Sequence, residues 1–168
     1  LGCYRIWMGS ESGSQRILDA MQRGVKVEEV QYATKMARKY GIEVGMFLMW
    51  GDEGEELCDI EATIEHVKEA NPDIFFTTVS YPIKNTGYYA KVEPKLILPT
   101  DWNNSSDREL RVAGRHSRQY YRHADGWLFN AGDAHRLGGT DPAAAAVKAA
   151  AAEQARLDLL ACADEVDV

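Results

Sequence analysis

Basic charge is in short supply. Nineteen lysines and arginines stand against 26 aspartates and glutamates, a formal net charge of -7. Gripping a phosphate backbone takes clustered Lys and Arg, so nucleic acid is not expected as the main partner. Long apolar runs are also missing. None approaches the roughly 20 residues that a membrane-spanning helix requires, and no secretory leader pattern is visible. The three cysteines, Cys3, Cys58 and Cys162, are odd in number and widely spaced, which excludes a disulfide framework and a zinc motif. They are expected to be buried free thiols, with a reducing cytoplasm as the setting. The four histidines, His66, His116, His123 and His135, show no metal-ligand spacing and are expected at the surface. No internal repeat is present. The chain opens on Leu1-Gly2-Cys3 rather than on Met, which reads as a cut end.

What is present is ordinary globular composition, 45% hydrophobic and 27% charged over 168 residues. Residues 4–9 read as a buried strand that ends in the polar elbow Ser10–Ser14. Helical spacing follows over 15–22, stopped by Gly24, and again from about Glu28 to Tyr40, stopped by Gly41. Ile42–Trp50 is apolar almost throughout, as expected of a parallel strand covered on both faces. It ends in a second elbow, Gly51–Glu56, with Glu55 expected to cap the helix that follows over Leu57–Ala70. Pro72-Asp73 breaks that helix, and Ile74–Ser80 is a third strand. Such alternation predicts an α/β fold with right-handed crossovers and a parallel sheet. The three C-terminal strand tips then share one rim, where ligands bind in these folds.

The second half changes character. Residues 93–106 read as a linker, with a short strand over Lys95–Leu98. Residues 107–168 read as a mainly helical extension. One long helix is expected from Asp107 to about Asn130, carrying Arg111, Arg115, Arg118 and Arg122 on one solvated cationic face. Asp141-Pro142 then caps an alanine-rich helix to about Ala163, whose thin apolar face predicts poor packing.

Taken together, Gly9-Ser-Glu-Ser-Gly-Ser14, Ile17-Leu18, Arg23-Gly24, Phe47-Leu-Met-Trp-Gly51 with Gly54-Glu55, Thr63, Pro72-Asp73 and Tyr81-Pro82 occur in an order and spacing that resembles the radical SAM superfamily, most closely its cobalamin-binding-domain-containing subgroup. The resemblance covers roughly residues 2–92. It implies the C-terminal half of a partial (β/α)6 TIM-type barrel and reductive cleavage of S-adenosylmethionine to a 5′-deoxyadenosyl radical. It also implies a 4Fe-4S cluster on a Cys-x3-Cys-x2-Cys loop. No such spacing occurs in this sequence. The loop, and any cobalamin domain, are therefore expected upstream of Leu1, on a missing N-terminal half that is this chain's main protein partner. The fragment alone is then expected to be inactive.

The same resemblance implies the binding residues. Glu11 and Ser12 at the first tip, and Arg23 after the first helix, would hold the ribose, amine and carboxylate of the cofactor. Phe47, Trp50 and Gly51 on the second strand would hold the adenine, and Ser80 at the third tip would complete the pocket. Gly51-Asp-Glu-Gly-Glu55 departs from the family's Gly-x-Pro-Gly-Glu by Glu53 in place of proline. Two other readings of the residues stay open. One is a non-catalytic α/β nucleotide-binding module or degenerate barrel fragment. The other is a phosphosugar site, with the backbone N–H groups of Gly9–Ser14 as its phosphate grip.

Overall fold

The computed structural model describes residues 2–98 and 106–168. Its centre is a three-stranded parallel sheet in the order β1-β2-β3, with β1 at Arg5–Glu11, β2 at Glu43–Trp50 and β3 at Ile74–Val79. The connections are helical, as parallel pairing requires. Helices α1 (Gln15–Ala20) and α2 (Val27–Lys39) join β1 to β2, and α3 (Leu57–Ala70) joins β2 to β3. The registers Gly9↔Phe47 and Trp50↔Val79 put all three C-terminal tips on one rim.

Among the described residues, only one face of the sheet is covered. Met46, Leu48 and Trp50 point into a core with Ile60, Ile64 and Val67 of α3 and with residues of the C-terminal helices. The opposite face carries Trp7, Phe47 and Phe76, each more than 40% exposed. Their rings stack across the strands, 5.0 Å from Trp7 to Phe47 and 5.5 Å from Trp7 to Phe76. Gly45 makes room for this row, since a Cβ there would lie 2.3 Å from the Trp7 ring. The continuous apolar pattern of β2 had suggested cover on both faces. In the structure Phe47 is apolar and open.

The second half departs from the sequence expectation. Residues 87–92 form a helix, α4 (Gly87–Val92), capped by Thr86, whose Oγ1 accepts from Tyr89 N. The expected short strand is β4 (Leu96–Ile97), and it pairs antiparallel with β5 (Arg111–Val112). Much of the expected linker, including Pro99, Asn103 and Asn104, lies outside the described residues. The long helix begins at Arg118, not Asp107. Gly114 has φ 81°, a left-handed conformation that favours glycine, and Ser117 caps α5 (Arg118–Leu137). Helix α6 (Pro142–Ala161) starts at the expected Asp141 cap, which accepts from Ala144 N at 3.0 Å. It packs closely on α5 despite its thin apolar face. Small side chains permit the approach: a Cβ on Gly126 would lie 3.4 Å from Ala155 Cβ.

The C-terminal tail returns to the loop before α5. Gly114 N donates to Asp167 O, Ser117 N to Glu165 O, and Asp167 N to Arg115 O. Arg111 Nη1 pairs with Asp167 at 3.0 Å. Among the described residues, no helix is long and apolar enough to cross a membrane.

Candidate functional site

The first strand tip is bent by an irregularity between Gly9 and Glu11. Glu11 has φ 58°, an uncommon conformation for a residue with a side chain. What holds it there is a network between the elbow and α3. Ser10 Oγ and His66 Nε2 hydrogen-bond at 2.8 Å. Thr63 Oγ1 donates to Asp59 O and accepts from Gly13 N. With its one proton so used, Thr63 must accept from Ser12 Oγ at 3.2 Å, while Ser12 Oγ accepts from Ser14 N. Ser14 Oγ donates to Asp59 Oδ1 at 2.6 Å, and Arg16 pairs with the same carboxylate. Gly13 allows the contact, since a Cβ there would meet Ala62 O at 2.4 Å.

Between the three tips and α4 lies a cleft of about 720 Å³. One wall carries Glu11 and Arg23, ion-paired at 3.1 Å, with Arg23 Nη2 also 3.4 Å from Gly9 O. The floor includes Met49 and Ser80. The far wall carries Tyr81, Tyr88 and Lys91. Lys91 and Lys95 both pair with Glu53, which ties α4 to the second elbow.

The predicted residues divide into three groups. Glu11, Arg23 and Ser80 line the cleft together. Gly51 stands behind it at φ 76°, its N–H donating to Glu55 Oε2 at 2.7 Å, and a Cβ there would lie 3.0 Å from the Tyr121 hydroxyl. Phe47 lies mid-strand on the open sheet face, away from the cleft lining. Ser12 and Trp50 turn inward. Ser12 is buried with its hydroxyl committed to the elbow network. Trp50 is wholly buried, and its Nε1–H donates to Asp125 at 2.8 Å.

Three other expectations are corrected. Glu55 does not cap α3, because Asp59 accepts from Glu56 N instead. Glu55 sits in a smaller cavity of about 220 Å³ beside the cleft, its Oε1 without a hydrogen-bond partner among the described residues, and burial pushes its carboxyl up to about 8. His66 is buried, not at the surface, and burial lowers its ring to about 4, so it is neutral at pH 7. The phosphate grip loses half of its expected donors. Within the elbow Ser12 N donates to Ser10 O, and Gly13 N and Ser14 N donate to side chains, so these three N–H groups are already used. The burial of Glu55 and His66 and the place of Tyr88 at the cleft were not legible in the sequence, because each depends on packing by elements distant in the chain.

No protein-family model matches the chain. A curated relative does. An uncharacterized methyltransferase of Pyrococcus horikoshii is 31% identical over 104 residues. The matched segment is 60% of this chain, and the chain spans about a fifth (22%) of that protein's length.

The cysteines do not fit an iron–sulfur cluster. Cys3 and Cys58 are exposed, against the expectation of burial, and only Cys162 is buried. No group of three His, Cys, Asp or Glu side chains able to hold a metal occurs among the described residues.

Proposed function

We propose that this chain provides the S-adenosylmethionine-holding rim of an enzyme that uses that sulfonium compound. The observation that carries the reading is the Glu11–Arg23 pair at the mouth of a cleft formed by three parallel strand tips. Its volume falls in the ordinary range for small-ligand sites. The amino-acid end of S-adenosylmethionine is a zwitterion, and an Arg–Glu pair is its charge complement. Partly exposed pairs are worth about 0–1 kcal/mol, so the two side chains exchange partners at little cost. Arg23 turns its fork to the ligand carboxylate. Glu11 accepts from the ammonium or a ribose hydroxyl and offsets the sulfonium charge. The bound sulfonium supplies an activated carbon, and the chain's residues position it. The Pyrococcus relative, named a methyltransferase, supports the same cofactor and a group-transfer outcome.

The resemblance to radical SAM enzymes narrows this proposal to reductive cleavage on a partial barrel. On that reading the cluster ligands and any corrinoid site belong to further chain, since Cys3, Cys58 and Cys162 do not gather. That further chain would cover the Trp7–Phe47–Phe76 face. Calorimetric titration of the intact protein with S-adenosylmethionine tests the reading. We expect saturable binding that weakens at least tenfold in Glu11→Gln and in Arg23→Gln. Absent binding, or binding indifferent to both changes, would overturn it.

A further inference from the structure

The arginines read from sequence as one solvated helix face are not on one helix. Arg111 is in β5, Arg115 lies in the loop before α5, and Arg118 and Arg122 are in the first turns of α5. The fold nevertheless brings all four, with Arg108, around one pocket of about 320 Å³. Five arginines line it beside three acidic residues, Glu109, Asp125 and Asp167, and Arg115 also borders the smaller cavity that holds Glu55. Two of these are already engaged, Asp167 with Arg111 and Asp125 with the Trp50 indole. Arg108, Arg115, Arg118 and Arg122 have no carboxylate partner among the described residues. In a chain of net charge -7 this local excess of two positive charges is out of keeping with the rest.

Two features make it a built pocket. Arg115 is held from behind, donating to Ser80 O and to the Tyr88 hydroxyl. His116, on the same wall, stacks on Tyr120 at 4.0 Å and keeps a solvent-shielded Nδ1 with no hydrogen-bond partner among the described residues. The pocket also shares Ser80 and Tyr81 with the strand-tip cleft, so one small molecule can reach both.

Forked guanidinium groups suit carboxylates and phosphates alike. The charge decides between them. An excess of two matches a phosphate monoester, which carries about -1.5 to -2 at pH 7, better than a single carboxylate. We infer that this pocket binds the phosphate monoester end of a small substrate whose reacting end lies in the strand-tip cleft. The location of the reacting end rests on the cofactor reading above, whereas the anion site stands on the arginines alone.

The test is calorimetric titration of the intact protein, in low-chloride buffer, with inorganic phosphate and with phenyl phosphate. We expect one saturable site, weakened at least tenfold in Arg118→Gln/Arg122→Gln and about threefold in Arg122→Gln alone. S-adenosylmethionine affinity and circular dichroism should be unchanged in both variants. Acetate should bind at least tenfold more weakly than phosphate. Several results would overturn the inference: no saturable phosphate binding, equal affinity in the double variant, or acetate binding as tightly. Tight, salt-sensitive binding of an oligonucleotide without binding of phenyl phosphate would do so too. Cofactor binding without phosphate binding overturns only this inference. Phosphate binding without cofactor binding overturns the cofactor reading and the placement of the reacting end, and leaves the anion site standing.

Discussion

Gly9 shows how a residue without a side chain serves a charged one. A Cβ at this position would lie 2.8 Å from Glu11 Oε1 and 2.9 Å from Arg23 Nη2. The colliding atoms are ends of flexible side chains, so Gly9→Ala should cost about 1 kcal/mol or less in stability, the scale of a partly exposed ion pair. It should nevertheless displace both ligand-facing groups. Thermal melting should barely move while S-adenosylmethionine affinity falls severalfold. Two buried titratable groups act on stability with opposite signs. The folded state holds the Glu55 carboxyl up at about 8, so its contribution is present below about 4.5 and is lost as pH rises towards 8. His66, lowered to about 4, contributes above about 6.5 and loses that contribution as pH falls towards 4. Glu55→Gln keeps an acceptor for Gly51 N. It should therefore stabilise the protein at pH 7.5 by an amount on the order of a few kcal/mol, and hardly at pH 4.5. Denaturant midpoints across that range check both signs. An unchanged profile in the Gln variant would remove Glu55 from the account.

Among the elements, the first elbow and α3 behave as one unit. The Cβ that Gly13 lacks would meet backbone atoms, Ala62 O at 2.4 Å and Thr63 Cα at 2.6 Å, and these cannot swing aside. Gly13→Ala should cost ~1–3 kcal/mol, as overpacking does, measurable as a lowered denaturant midpoint. A midpoint equal to wild type would show that the elbow does not need α3. Much of this region was legible in the sequence. Strands and helices up to Val79 follow from apolar runs and periodicity bounded by Gly24, Gly41 and Pro72, and α3 begins and ends where its pattern does. The elbow's small residues were also legible, but their purpose was not. Gly13 makes room for a helix rather than for a ligand, and Ser12 bonds to Thr63, about 50 residues away in sequence. Pairings of that range leave no local periodicity to read. The start of α5 was misjudged for a related reason. The arginine spacing imitates a helix across Gly114, whose positive φ breaks it.

At the scale of the whole molecule, the dominant feature is a sheet with one face left bare by the described residues. Trp7, Phe47 and Phe76 form a contiguous aromatic surface of the kind that soluble monomers rarely expose. Among the described residues β1 and β3 each pair only with β2, and unpaired strand edges invite association. The 168-residue chain alone should self-associate with rising concentration in sedimentation velocity, and Trp7→Gln/Phe76→Gln should shift it towards monomer. A strictly monomeric wild-type chain would count against an uncovered sheet. The sequence indicated the shared rim of strand tips, yet not which sheet face lies open, because alternation along a strand tells faces apart without saying what covers them. The last residues of the chain have a reach beyond their own surroundings. Asp167 and Glu165 clasp the loop that carries Arg115, and Arg115 in turn grips the third strand tip through Ser80. A carboxypeptidase nibbling a handful of residues from this end, or a bulky affinity tag fused there, would thus be felt at the rim by a mechanical route, without touching any residue that meets a ligand.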